Sequence, residues 1–160
     1  AGPVGGAVEE SASVSPGTLL DPESIVLDAR AESRDEAITR AGELLVAAGA
    51  VQPSYVEAMH TRERSVSTHM GNGLAIPHGT NEAKSAIVRS AISFVRYPEG
   101  IDWNGKPVTF VIAIAGSGDD HLALLRRIAE VFVDKEQVAR LESATNVADV
   151  MQVLGVVQPA

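Results

Sequence analysis

The sequence lacks cysteine altogether. That excludes disulfides, thiolate metal sites and a cysteine nucleophile, while saying little about compartment. Basic residues are few: 13 Lys and Arg stand against 21 Asp and Glu, for a formal net charge of −8 and a pI of about 4.9. No basic stripe is available to neutralise phosphates, so a nucleic-acid partner is not expected. An acidic surface suits steered docking onto basic protein surfaces instead. Long apolar runs are missing too. The longest, Val108 to Ala115, is far too short to span a bilayer, and the N-terminus has neither the charged nor the apolar region of a signal peptide. No membrane insertion is expected, and the cytoplasm is the default location. What remains is ordinary globular material: 160 residues, 45% apolar and 21% charged, enough for one domain with a sizeable core.

Residues 1–18 are rich in Gly, Ala, Ser and Pro without periodicity, and the chain starts without methionine. This segment reads as a disordered linker or a leftover of expression, or as the mark of excision from a longer polypeptide. Beyond it, no repeat or low-complexity tract occurs. A short strand is expected around 24–27. Ser33 with Glu36 reads as a capping box for a helix over 34–48, whose apolar positions Ile38, Ala41, Leu44, Leu45 and Ala48 recur at helical spacing. Pro53 suits the first position of a second helix over 53–62. A long strand is expected over 86–96, turns at Pro98-Glu99-Gly100 and Asn104-Gly105, and a central strand buried on both faces over 108–115. Either Asp119 or Asp120 could cap the following helix, with His121 as its first or second residue. Short helices open at Asp134 and Asn146, the last ending at Gly155. Helices alternating with strands define a single α/β domain.

The chain is organised around Gly71-Asn72-Gly73-Leu74-Ala75-Ile76-Pro77-His78-Gly79-Thr80. The apolar run Leu74–Ile76 must stop at Pro77, which has a fixed φ and no N–H. Gly79 leaves the backbone beside the His78 ring open, and Thr80 adds a hydroxyl and an N–H. An imidazole at a strand end beside open donors suits a nucleophile that carries an anionic group, although Pro-His-Gly alone is also a common turn. His121 follows a glycine loop at the end of the central strand, and active groups in α/β proteins gather where strands end. A neutral imidazole is a competent nucleophile near pH 7; a second imidazole and a cation such as Arg62 could stabilise a phosphoryl group on it. On spacing alone the plainer readings stand beside these: His121 as a solvent-facing residue at a helix start, Arg62 as a cation complementing a helix end. His60, His69 and His78 are nine residues apart, but they fall on different predicted elements and no zinc-type motif is present, so no metal site is expected.

The text from Arg62-Glu63-Arg64 through Gly71–Thr80 resembles the IIA domains of the bacterial phosphoenolpyruvate-dependent sugar phosphotransferase system, in the mannitol/fructose group and nearest its mannitol branch. An arginine, a glycine, an apolar-Ala-apolar triplet and Pro-His-Gly stand in the family's order, with Arg62 sixteen residues before His78. Tyr97-Pro98-Glu99-Gly100-Ile101, Trp103-Asn104-Gly105 and Gly118-Asp119-Asp120-His121-Leu122 fit the same pattern. The resemblance covers residues 19–157, so that 19–160 is expected to be one IIA domain with a central mixed β-sheet flanked by helices. It implies a phosphotransferase in which His78 accepts a phosphoryl group from the phosphocarrier HPr and passes it to a cysteine of a IIB domain for sugar uptake. His121 and Arg62 are then the stabilisers of the phosphoryl group, and Thr80 supplies a hydrogen bond near it. His69 has no role, and His60 is a surface residue on its helix. No cofactor is implied, because a histidine phosphoramidate transfers nearly thermoneutrally once donor, phosphorus and acceptor are aligned. The ring of His78 is expected at the surface, with Met70, Leu74 and Ile76 as candidates for an apolar docking rim, and a monomer suits such a shuttle. The alternative is a regulatory IIA-like protein, in which the state of His78 controls binding to a target.

Overall fold

The apolar run that was expected to be a central strand is one. In the computed structural model, which describes residues 19–155, Lys106–Ala115 is the middle strand of a five-stranded mixed sheet. In chain order the elements are β1 (Ile25–Val26), α1 (Arg34–Ala47), α2 (Ser54–Ser65), β2 (His69–Gly71), β3 (Leu74–Ala75), β4 (Ala91–Trp103), β5 (Lys106–Ala115), α3 (Asp120–Phe132), α4 (Lys135–Glu142) and α5 (Val147–Leu154). The strand order is β1-β4-β5-β3-β2. β4 and β5 are antiparallel, whereas β3 runs parallel to β5 in the register Leu74↔Phe110 and Ala75↔Val111. The linker expected over 1–18, and the last five residues of the expected domain, lie outside the described residues.

Period-two alternation along β5 sends its side chains into two cores. Val111, Ala113 and Ala115 join Ile38, Leu45, Tyr55 and Met59 beneath α1 and α2. Phe110, Ile112 and Ile114 join Leu124, Ile128, Phe132, Leu141 and Val150 beneath α3, α4 and α5. The molecule is thus a three-layer sandwich, helices covering both faces of one sheet.

Several expected boundaries move. The strand expected at 86–96 begins at Ala91 and continues to Trp103, because residues 81–86 close instead into a 3-10 turn. The turn expected at 98–100 is an irregularity inside β4. Gly100 there takes φ 80° and the register shifts between Arg96 and Ile101; a bulge of this kind bends a strand without ending it. Asn104-Gly105 is the hairpin turn, both residues left-handed, with φ 56° and 90°. Asn72-Gly73 has the same geometry, φ 56° and 75°, and joins β2 to β3 as a second tight hairpin. α2 starts one residue later than expected, with Pro53 at its N-cap, and runs on to Ser65. Ser33 caps α1 through the Glu36 N–H at 3.1 Å, but the Glu36 carboxylate reaches back to the Glu32 N–H instead of closing the box on Ser33. Asp134 and Asn146 cap α4 and α5 through their side chains.

Arg96, on β4, ties the end of α4 to the residue that follows β1. Its guanidinium is buried and donates to the carbonyls of Leu27, Leu141, Glu142 and Ala144 at 2.8 to 3.1 Å. Cations pair naturally with carbonyls left open at a helix end, and here the helix is α4.

Candidate functional site

β3 and β5 are parallel neighbours, so both chains leave the sheet at the same end. The residues following them, Pro77–Thr80 and Gly116–His121, therefore meet. The rings of His78 and His121 lie 4.7 Å apart between centroids, inclined at 57°. Both line a pocket of about 540 Å³ with Arg62, Thr80 and Lys84, and with Leu122 on its rim.

The loop carrying His78 is tied at every residue. The Ile114 N–H donates to the Pro77 carbonyl at 3.0 Å, extending the β3–β5 pairing past the proline. His78 Nδ1 lies 2.9 Å from the Ile76 carbonyl. A carbonyl can only accept, so Nδ1 carries the proton, and in the neutral ring Nε2 is left with the free electron pair. Gly79 N–H donates to the Tyr55 hydroxyl at 2.9 Å, and that hydroxyl donates on to the Ile114 carbonyl at 2.9 Å. A Cβ on Gly79 would meet the Tyr55 ring at 2.6 Å, so the glycine is required by close packing against α2.

His78 is only 8% exposed. The expectation of a ring standing at the surface is corrected: the imidazole is set into the pocket wall. Burial is the main reason its pKa lies below the ordinary histidine value. The Nδ1 bond to Ile76 opposes this, the Arg62 charge reinforces it, and the Glu63 charge opposes it. The rim expected from Leu74 and Ile76 is corrected as well, since both are core residues at 1% and 0% exposure. Met70 is exposed but does not line the pocket; the apolar rim residue is Leu122, 73% exposed.

His121 is the second residue of α3, held there by an absence. A Cβ on Gly116 would sit 2.5 Å from the His121 Cα and 2.6 Å from its nitrogen. Neither aspartate caps α3 in the expected way: Asp119 occupies the N-cap without a side-chain bond, and Asp120 accepts from the Ser90 hydroxyl at 2.6 Å. The pKa of His121 is pushed down to about 4, by burial first and then by His78, Lys84 and Arg62. Both rings are therefore neutral near pH 7, although cations surround them. A pocket that withholds positive charge from its imidazoles while presenting Arg62 and Lys84 suits an anion brought to a nucleophilic nitrogen.

Arg62 lies in the last turn of α2, lines the pocket, and donates from Nη1 to the Val66 carbonyl. It thus serves the helix end and faces the site at once. Thr80 lines the pocket and makes no cap bond of its own. His60 is half-buried, with Nε2 2.8 Å from the Thr39 hydroxyl, and His69 is half-buried on β2, away from the pocket. Among the described residues no cluster of three metal-ligating side chains occurs, and no helix is long and apolar enough to cross a membrane. Lys84, Tyr55 and Glu63 were not singled out from the sequence. Tyr55 had the spacing of a plain core residue, and Lys84 had no signal beyond lying six residues after His78.

The fold and the paired histidines define the class. Residues 18–155 match the family described as phosphoenolpyruvate-dependent sugar phosphotransferase system, EIIA 2, and the chain belongs to that family. It is 45% identical over 135 residues to the mannitol-specific phosphotransferase enzyme IIA component of Staphylococcus aureus, covering 84% of this chain and 94% of the relative. It superposes with TM-score 0.79 and 34% identity on a chain of the complex of enzyme IIAMTL and phosphorylated enzyme IIBMTL from Escherichia coli, covering 86% and 99% of the two chains. A further neighbour is the nitrogen regulatory protein IIA-Ntr of Neisseria meningitidis, at TM-score 0.76 and 28% identity, covering 86% and 97%. The chain is accordingly a IIA component of a sugar phosphotransferase system, with the mixed-sheet fold of the mannitol IIA structures.

Proposed function

We propose that this chain is the phosphoryl relay of a mannitol-type uptake system, accepting phosphate from phospho-HPr on His78 and passing it to a cysteine of a IIB domain. The observation that carries this reading is the pair of neutral imidazoles 4.7 Å apart in one cation-lined pocket. His78 Nε2 attacks phosphorus; a P–N bond forms and the donor's bond to phosphorus breaks, its electron pair returning to the donor. Phosphate on Nε2 leaves the Nδ1–H bond to Ile76 in place, so the ring need not turn between its two states. His121 and Arg62 stabilise the phosphoryl oxygens, Lys84 adds charge at the mouth, and Thr80 offers a hydroxyl. Onward transfer reverses the geometry with a thiolate as acceptor, in the cytoplasm, and alignment supplies most of the rate. Leu122 on the rim gives two different partners a common apolar foothold.

The test is reconstitution with phosphoenolpyruvate, enzyme I, HPr and a mannitol-type IIB domain. An acid-labile, alkali-stable phosphate should appear on His78, vanish in His78→Ala, and pass to the IIB thiol. Absence of label on the wild-type chain sinks the reading. The regulatory alternative has the 28% likeness to IIA-Ntr behind it. It requires labelling of His78 without transfer to any IIB cysteine.

A further inference from the structure

Glu63 is 3% exposed, does not line the pocket, and follows Arg62 in the last turn of α2. Burying a carboxylate is costly unless donors surround it. Here the Thr68 N–H donates to Oε2 at 3.0 Å, the Thr68 hydroxyl to Oε1, and the Trp103 indole N–H to Oε2 at 2.9 Å. All three bonded groups donate, the pattern a carboxylate anion takes. The consequence runs along the chain. The Thr68 carbonyl accepts the Ile76 N–H at 3.0 Å, and the Ile76 carbonyl accepts His78 Nδ1–H at 2.9 Å. One carboxylate thus joins the helix end that presents Arg62, the strand that orients His78, and the far end of β4.

We propose that Glu63 is the positioning residue of this site, its buried carboxylate holding the Arg62 helix end and the His78 strand in one fixed relation. It acts on the reacting groups through Thr68 and Ile76 and touches no substrate. The inference rests on the phosphoryl-carrier reading of the pocket, but its geometry does not.

The full chain, labelled with ¹⁵N-histidine, tests it. Glu63→Gln keeps the shape and turns one accepting oxygen into an NH₂ that faces donors. Transfer from phospho-HPr should lose at least about tenfold in kcat while KM stays within about twofold, as expected when alignment is lost and docking is not. The ring ¹⁵N shifts of His78, recorded without any donor, should show the Nε2–H tautomer entering a spectrum that in the wild type is Nδ1–H alone. Trp103→Phe, which removes one donor from an intact carboxylate, should move both readouts the same way by less. Asp134→Ala, at the N-cap of α4 and outside the pocket lining, is the stability control. It should lower the melting midpoint and leave both readouts unchanged. A folded Glu63→Gln with wild-type kcat and tautomer overturns the proposal, as does an equal loss in Asp134→Ala. If Glu63→Gln does not fold, wild-type behaviour of Trp103→Phe overturns it instead. A wild-type chain that takes no phosphate sinks the carrier reading, and the ring shifts then decide on Glu63 by themselves.

Discussion

Tyr55→Phe removes one oxygen and nothing else from the wall of the pocket. That oxygen accepts from the Gly79 N–H and donates to the Ile114 carbonyl, both at 2.9 Å. The phenol is buried, and burial raises its pKa, the Gly79 bond offsetting part of this; it is therefore a neutral donor at any working pH. Without it the amide loses its acceptor and the carbonyl a donor. A buried polar group left unpaired costs about 1–3 kcal/mol. Gly79 is half-buried beside an open pocket, so water recovers part of that, and we expect a loss of about 2 kcal/mol. For a domain of this size that lowers the melting midpoint by about 8 °C. The Pro77–Thr80 loop loses its tie to α2, so amide exchange at Gly79 should accelerate while that in β5 stays slow. Phosphate acceptance should fall about tenfold, because a looser loop presents Nε2 in line less often. Calorimetry, hydrogen exchange and a phospho-HPr transfer assay together read these outcomes. A midpoint within about one degree of wild type, with Gly79 exchange unchanged, would refute the claim that this hydroxyl holds the loop.

Gly116→Ala places a methyl on the backbone of His121, which no side-chain rotation can relieve. It should cost about 1–3 kcal/mol as overpacking and push His121 from His78, seen as loss of onward transfer and as altered ring ¹⁵N shifts. His121 contributes a pH dependence whose sign follows from its lowered folded-state pKa. Between about 4 and 6.5 the unfolded chain binds the proton and the folded one does not, so this contribution is complete above 6.5 and is lost as pH falls toward 4. The difference in melting midpoint between wild type and His121→Gln should therefore vary across that window and be flat above it; variation at higher pH instead would contradict the assignment. Arg96→Met should destabilise by about 3 kcal/mol, since four carbonyls lose a buried donor, yet leave transfer by the folded fraction unchanged. A urea titration paired with the transfer assay checks both halves.

What the sequence disclosed is what neighbouring residues decide. The caps at Ser33, Asp134 and Asn146, the apolar spacing of α1 and the two-faced burial of β5 are all local, and they were legible. His78 and His121 could be paired in advance because each ends a strand, although only the parallel placement of β3 beside β5 makes those ends adjacent. Tyr55 has the spacing of a core residue, and nothing near it in the chain reveals that its partners lie 24 and 59 residues away. Glu63 was hidden in the same way behind Trp103, 40 residues on. The burial of His78 was missed because α2 and the start of α3, which wall it in, come from both directions along the chain. Gly100 was mistaken for a strand end, since a left-handed glycine marks a bulge and a turn alike.

Among the described residues the sheet's two outer strands are stubs: β1 contributes two residues and β2 three. Neither stub by itself offers a visiting chain a long row of free amides on which to add another strand. Outer strands so brief amount to a safeguard against being held.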